Sequence, residues 1–367
     1  MSAITEASGG QPRVGVALSA AVSEGPSHAY LLRGPSGSGK ARIARAFAAE
    51  ILASDSADPD ETRRRALQNP SPHPDLIWLK PKGMSHAVDD VRERLIKVAP
   101  HSPFEGGHRV FVIEAADVLG EESQNAMLKT LEEPPEHAHL ILLSADAESV
   151  LPTVVSRCQV IEFDALDDAA IAAELAEVAA PDEARAAARL SRGDLGRARL
   201  LVTERGQRIR AAVEKMMGAT VSGNLADSPW LTVLNLAKES GEKAGERVQG
   251  ELDSEKQEGI KHTKTEIDDA VRRETRRVRT GVLDLALSLA ASWARDLAAT
   301  AAGAQAVLFN ADRVVVLEEQ AGEVDLASAR KAVVAVNDTR QRFQLNVNEE
   351  LAMEALCFRL EKLLGPV

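Results

Sequence analysis

The sequence predicts a parallel α/β domain followed by all-α structure. Three observations lead there: every convincing strand signal precedes residue 164, the strands alternate with helical stretches, and the remainder is helical, alanine-rich and poor in aromatics, which make up 3% of the chain. Small side chains of that kind suit helix-on-helix packing better than a broad β-sandwich. At 367 residues, 44% hydrophobic and 27% charged, the chain is globular and long enough for two or three domains.

In chain order, short apolar runs at 29–32, 76–79, 110–113, 140–143 and 159–163 read as strands. Helical stretches at 41–53, 88–99 and 122–131 alternate with them, the pattern of a buried parallel sheet with crossover helices. This α/β domain covers 1–163. Residues 164–204 turn into short alanine-rich amphipathic segments broken at Pro181 and Gly193, a small helical domain. Residues 205–367 are a helical third domain, in which 282–301 and 328–364 are apolar at helical spacing and form a bundle. Ahead of them, 238–279 is acidic in its first half and basic in its second. It reads as an exposed, solvated helical excursion rather than a DNA-binding arm, with too little apolar surface to matter for folding.

Composition excludes several classes. The net charge of −12 argues against a free-standing nucleic-acid binder, whose surface must neutralise phosphates, but leaves room for a partner that helps hold DNA. Cys158 and Cys357 are the only cysteines, so a single chain builds no disulfide framework and no cysteine zinc site, and a reducing compartment is expected. His73, His86, His101 and His108 have no usual ligand spacing, and no zinc is expected. No window approaches 18 consecutive apolar residues, and the N-terminus lacks an apolar signal core; neither membrane insertion nor secretion is expected.

Directly after the first strand comes GPSGSGKA, residues 34–41, and then a helix. Gly34, Gly37 and Gly39 let backbone N–H groups face an anion, the helix N-terminus adds partial positive charge, and Lys40 can reach outer phosphates. The eighth position, where a hydroxyl normally meets magnesium, is Ala41. The strand that should supply metal-binding and water-activating carboxylates reads VFVIEAAD, with Glu114 followed by Ala115. Asp117, further on, reads as a helix cap or first-turn charge. Such a degenerate Walker A loop predicts an NTPase fold without working hydrolysis; ATP binding stays open, and no cofactor is required.

The segment 123–163, SQNAMLKTLEEPPEHAHLILLSADAESVLPTVVSRCQVIEF, is more distinctive still. It resembles the bacterial DNA polymerase III clamp-loader subunits, whose gamma/tau motor and delta-prime kinds share NALLKTLEEPP followed by SRC, here Ser156, Arg157 and Cys158. HPD at 73–75, SHAYLLRGPSGSGK at 27–40 and NVNEELAMEALCFRL at 346–360 extend the resemblance over most of the chain. The four-cysteine zinc module of many members is missing from 54–72, which is polar and reads as a surface excursion.

The resemblance implies an AAA+ parallel-sheet domain (1–163), a helical lid (164–204) and a helical collar (205–367). It puts Ser144 at the polar position that senses phosphate. It implies that Arg157 acts in trans, as a finger in a neighbour's ATP site; an ordinary local pairing with Glu162 or Asp164 is the competing reading. Cys158 reads as a packing residue, not a nucleophile. In the last helix, Leu351, Ala355, Leu356 and Phe358 serve either the collar interface or the core.

Ala41 and Ala115, with Gly196 where motor subunits carry an arginine beside Arg197, point to the delta-prime kind, without ATPase activity of its own. An ATP-hydrolysing gamma/tau-type motor is the alternative, and a helical scaffold that only borrows the fold a third reading. The implied partners are the delta and gamma/tau subunits, the sliding clamp and, through the assembled complex, primer-template DNA. The implied place is the cytoplasmic bacterial replication fork, with no membrane.

Overall fold

Each strand forms where the sequence carries an apolar run too short for a helix. The computed structural model describes residues 2–81, 86–146, 148–257, 263–322, 324–343 and 347–366. Its strands are β1 (Ala29–Arg33), β2 (Leu76–Leu79), β3 (Arg109–Ile113), β4 (Ala138–Ser144) and β5 (Gln159–Glu162). They form one parallel sheet in the order β2-β3-β4-β1-β5. All seven residues of β4 are buried, as a central strand covered on both faces requires. Alternation sorts the side chains: Tyr30, Leu32, Val112 and Ile141 pack with Phe47 on one face, while Leu31, Phe111, Leu140 and Leu142 pack with Leu95 and Met127 on the other. Edge strand β5 stops one residue short of its predicted end, although the buried Phe163 still donates its N–H to Arg33 O at 2.7 Å.

Two helices not foreseen from the sequence precede the sheet, α1 (Ala3–Ala7) and α2 (Pro12–Glu24). The predicted crossovers are α3 (Lys40–Ser54), then α5 (Val88–Val91), and α6 (Glu121–Glu132); between the first two, the polar excursion folds as α4 (Pro59–Ala66), capped by Asp58. The helix predicted over 88–99 is one α-turn that widens into a π-turn at Arg92–Ile96. One further turn, α7 (Pro152–Val155), precedes β5. Next come α8 (Asp168–Leu175), α9 (Pro181–Ser191) and α10 (Leu195–Leu201). Pro181 opens α9 where its missing N–H costs nothing, and Gly193 at φ +87° follows its end. The chain groups into two compact units, Met1–Ile171 with Gly193–Leu195, and Ala172–Arg192 with Gly196–Val367.

The second unit is helical among its described residues: α11 (Glu204–Ser222), α12 (Trp230–Gln257), α13 (Lys264–Ala301), α14 (Val314–Ala321), α15 (Leu326–Phe343) and α16 (Glu349–Leu364). Asn346, the predicted start of the last helix, lies outside the described residues, and Asn348 caps α16 by accepting from Leu351 N at 3.0 Å. The apolar stripe of α16 divides. Leu356 belongs to the core with Met353, Cys357 and Leu360, whereas Leu351, Ala355 and Phe358 face solvent at i, i+4 and i+7.

The charged stretch is not wholly solvated, contrary to what its sequence implies. Lys238, Lys243, Arg272, Arg273 and Arg276 are exposed, but α12 and α13 pair antiparallel, Gly241 lying against Thr275 and Arg279, and Gly245 against Val271 and Thr275. A Cβ on Gly241 would sit 2.7 Å from the Thr275 carbonyl oxygen, so close backbone approach, not apolar bulk, makes this seam. Gly241→Leu is therefore expected to destabilise by about 1–3 kcal/mol. Gly250→Ala, where a Cβ meets nothing within 4 Å, should stabilise by up to about 1 kcal/mol. Urea unfolding checks both, and equal effects would refute the seam.

Candidate functional site

The loop after β1 turns on three glycines with positive φ: Gly34 (+153°), Gly37 (+74°) and Gly39 (+91°). Gly39 hands the chain to α3, so backbone N–H groups and a helix N-terminus converge as an anion cradle needs. Lys40 does not reach outward. Its Nζ donates to Gly34 O at 2.5 Å, Pro35 O at 2.6 Å and Ser38 Oγ at 3.3 Å. Burial pulls its ammonium down to about 8, against the opposing charges of Asp117 and Asp194. Asp194 is held against the loop, since Leu195 N donates to Gly37 O at 3.2 Å and a Cβ on Gly37 would collide with the Asp194 side chain.

Glu114 and Ser144 reach the same carboxyl-terminal edge of the sheet, at the ends of β3 and β4. Both are already engaged. The Glu114 carboxylate accepts from Trp78 Nε1 at 2.9 Å, and its backbone oxygen meets His86 Nε2 at 2.6 Å. Ser144 Oγ is buried and donates to Asp146 O at 2.6 Å. Ala115, at φ +54°, turns the chain into a 3₁₀ turn carrying Asp117, whose Oδ1 accepts from Ala145 N at 2.9 Å. Asp117 is thus a first-turn charge that caps the backbone after β4, not the next long helix.

Three features set the chemistry around this loop. Ala41 presents a methyl at the eighth position of the loop, Glu114 accepts from Trp78, and the Asp194 carboxylate adds negative charge beside the cradle. Arg197 is paired within the second unit, to Ser288 Oγ at 3.0 Å and Asp284 at 3.5 Å.

Arg157 stands elsewhere. It follows the single turn α7 and precedes β5, and because β5 pairs parallel with β1 from Tyr30↔Gln159, it lies at the amino-terminal edge of the sheet. The phosphate loop leaves β1 at the opposite edge, about 13 Å away for a four-residue strand at ~3.3 Å per residue. Its partner is neither Glu162 nor Asp164. Arg157 Nη2 meets Glu132 Oε1 at 2.6 Å and Nη1 donates to Thr153 O at 2.8 Å, while register places Glu162 beside Arg33, its actual partner. Glu132 carries a signal that sequence reading passed over, the acidic pair just before Pro134 and Pro135. Ser156 Oγ donates to Thr153 O at 3.1 Å, and Cys158 packs into the lower core, burial pushing its thiol up to about 12.

The HPD segment is architectural. Asp75, fully buried, accepts from Arg109 Nε at 3.0 Å and Nη2 at 2.8 Å, and from the N–H groups of Phe104 and Glu105. Arg109 spends its other donors on Val98 O, His101 O and Ser102 O. Of the four histidines weighed as ligands, His73 accepts from Asp75 N and His108 pairs with His139 at 2.9 Å. Among the described residues no three His, Cys, Asp or Glu side chains are placed to hold one metal ion, and no helix is long and apolar enough to cross a membrane.

Comparison with known proteins shows what the chain is similar to. Residues 10–167 match the family described as DNA polymerase III, delta subunit. The chain is 36% identical over 162 residues to DNA polymerase III subunit delta' of Pseudomonas aeruginosa, covering 43% of this chain and 49% of that protein. It is 31% identical over 262 residues to DNA polymerase III subunit tau of Escherichia coli, covering 68% of this chain and 40% of that one. The chain thus spans about half the length, or less, of these curated relatives. Among solved structures, a DNA polymerase III gamma-subunit-related protein of Thermotoga maritima aligns over 95% of this chain and 98% of that one, at 16% identity and a TM-score of 0.47.

Proposed function

We propose that this chain is a non-hydrolysing clamp-loader subunit of the delta-prime kind, a reading supported by the match of residues 10–167 to the family described as DNA polymerase III, delta subunit. The observation that carries the reading is the division of the sheet's two edges. At one, the nucleotide machinery lacks its metal hydroxyl and its water-orienting carboxylate; at the other, Arg157 sits too far from its own loop to serve it. A guanidinium so placed acts on a neighbour. In a ring of AAA+ domains it contacts the γ-phosphate of ATP bound by the adjacent motor subunit and stabilises the transition-state charge. The lid and collar then hold the subunit in the ring with the delta and gamma/tau subunits, so that the assembly places the sliding clamp on primed DNA. The exposed Leu351, Ala355 and Phe358 support a collar interface, and Leu351→Glu should weaken association with the other subunits at least about tenfold, a cost of ~1.4 kcal/mol. Unchanged association in analytical gel filtration would remove that face from the interface.

The test of the main reading is phosphate release by the purified chain. No ATP turnover above background is expected, and weak binding without turnover is compatible with the glycine cradle. Turnover abolished by Lys40→Ala would overturn the reading in favour of a gamma/tau-type motor, which the match to tau subunits keeps as the second candidate.

A further inference from the structure

Exposed cations line a groove of about 540 Å³ in the second unit, where α11, α12 and α13 meet. Arg205, Arg208, Lys243, Arg247 and Arg277 line it, against the three carboxylates Glu204, Glu239 and Glu274. Two of the carboxylates are each shared by two cations. Glu239 accepts from Arg208 at 3.1 Å and Lys243 at 2.8 Å, and Glu274 faces Arg277 at 2.7 Å and Arg247 at 3.5 Å. Arg247 also lies 3.9 Å from Glu251, outside the lining; within it five cations face three carboxylates, which leaves positive charge in excess and aims pairs of donors at single points.

The four cations are between 48% and 69% exposed, so each pair is screened by solvent and contributes at most about 1 kcal/mol. An incoming anion therefore displaces these pairings at little cost. Guanidinium forks match the two non-bridging oxygens of a phosphodiester as well as they match a carboxylate. Ser240 and Ala244 form small parts of the lining, and no aromatic side chain lines the groove. Unstacked bases would find nothing to stack on, which favours a duplex whose bases are already stacked.

We propose that this groove holds the phosphate backbone of double-stranded DNA, independent of sequence. The proposal rests on the clamp-loader reading for its choice of polyanion, and it gives a protein of net charge −12 a local surface on which DNA can lie. The charges come from three helices, so the run 238–279 does not reveal the site by itself.

The experiment uses the full chain and a fluorescein-labelled duplex of about 20 base pairs, followed by anisotropy between ~50 and ~200 mM KCl. The wild type should bind with log K falling linearly against log salt. Arg208→Gln with Lys243→Gln, Arg247→Gln and Arg277→Gln should lower affinity at least about tenfold and flatten the slope by about 0.9 for each phosphate no longer neutralised. A thermal melt verifies folding, and the pair Lys243→Gln with Arg277→Gln, both on exposed positions, provides a milder variant expected to show about half the change in slope. Absence of binding by the wild type, or unchanged affinity and slope in the folded variants, overturns the proposal; tighter binding of a single strand than of duplex overturns the choice of occupant. Association with the other clamp-loader subunits, measured on the same samples, separates the two readings. Retained association with unaltered DNA binding sinks the groove alone, whereas lost association in the wild type sinks the family role instead.

Discussion

Arg157→Ala in a reconstituted clamp loader is expected to lower ATP turnover at the adjacent motor site by about a thousandfold, the low end of what a trans arginine supplies. Ring assembly should persist, because the side chain is held by Glu132, the Thr153 carbonyl and Ser156 Oγ, all near its own turn or on its own surface. That anchor does not compete seriously with the transition state. Arg157 is 33% exposed and Glu132 50%, so their pair contributes at most about 1 kcal/mol, little enough for the proposed γ-phosphate contact to displace. Glu132→Ala should accordingly leave turnover within about twofold, since freeing the guanidinium removes an ordinary surface pair. Arg157→Lys should rescue poorly, because an ammonium has charge but no planar fork. Steady-state phosphate release with primed DNA, alongside gel filtration of the complex, reads all three. Full turnover in the alanine complex would reduce the subunit to a structural wedge.

The other large effect is on folding. Removing Arg109 strands the Asp75 carboxylate in the interior with two backbone N–H partners, and breaking such a buried pair from one side costs about 3–5 kcal/mol. Arg109→Met is expected to lose that much in urea unfolding, a large share of a typical domain's stability of ~5–15 kcal/mol. Asp75→Asn, which keeps an acceptor oxygen for the Phe104 N–H, should cost less. Asp75→Ala combined with Arg109→Met should lose less than the single effects added together, because neither partner then remains as an unpaired buried charge. A loss below about 1 kcal/mol in Arg109→Met would mean that the pair does not organise this end of the sheet. Its geometry explains the HPD motif without chemistry: one carboxylate ties the start of β2 to the start of β3 and to the loop at 104–105.

Much of the fold is legible in the chain itself. All five strands match their apolar runs to within two residues at either end; for β3 and β4 the reason is that a strand buried on both faces must be apolar throughout, a local property. The glycine loop, Ala41 and Ala115 needed only their spacing, since a missing hydroxyl or carboxylate is a fact of covalent structure. Pro181 and Gly193 marked the ends of α9 for equally local reasons of backbone geometry. What the letters did not contain is who touches whom. Glu162 is close to Arg157 in sequence, yet the register of β1 against β5 delivers it to Arg33, and Glu132, 25 residues away, takes its place. That the Glu114 carboxylate accepts from Trp78, on the neighbouring strand β2, is likewise a contact the sequence does not state. The stripe on α16 held four apolar residues that only packing divided into core and surface, and the mixed charges of 238–279 concealed a seam set by two glycines. Periodicity, caps and motifs act within a turn or two of the chain and are determined by sequence alone, whereas partner choice depends on strand register and helix approach over long separations. That part only the tertiary structure decided.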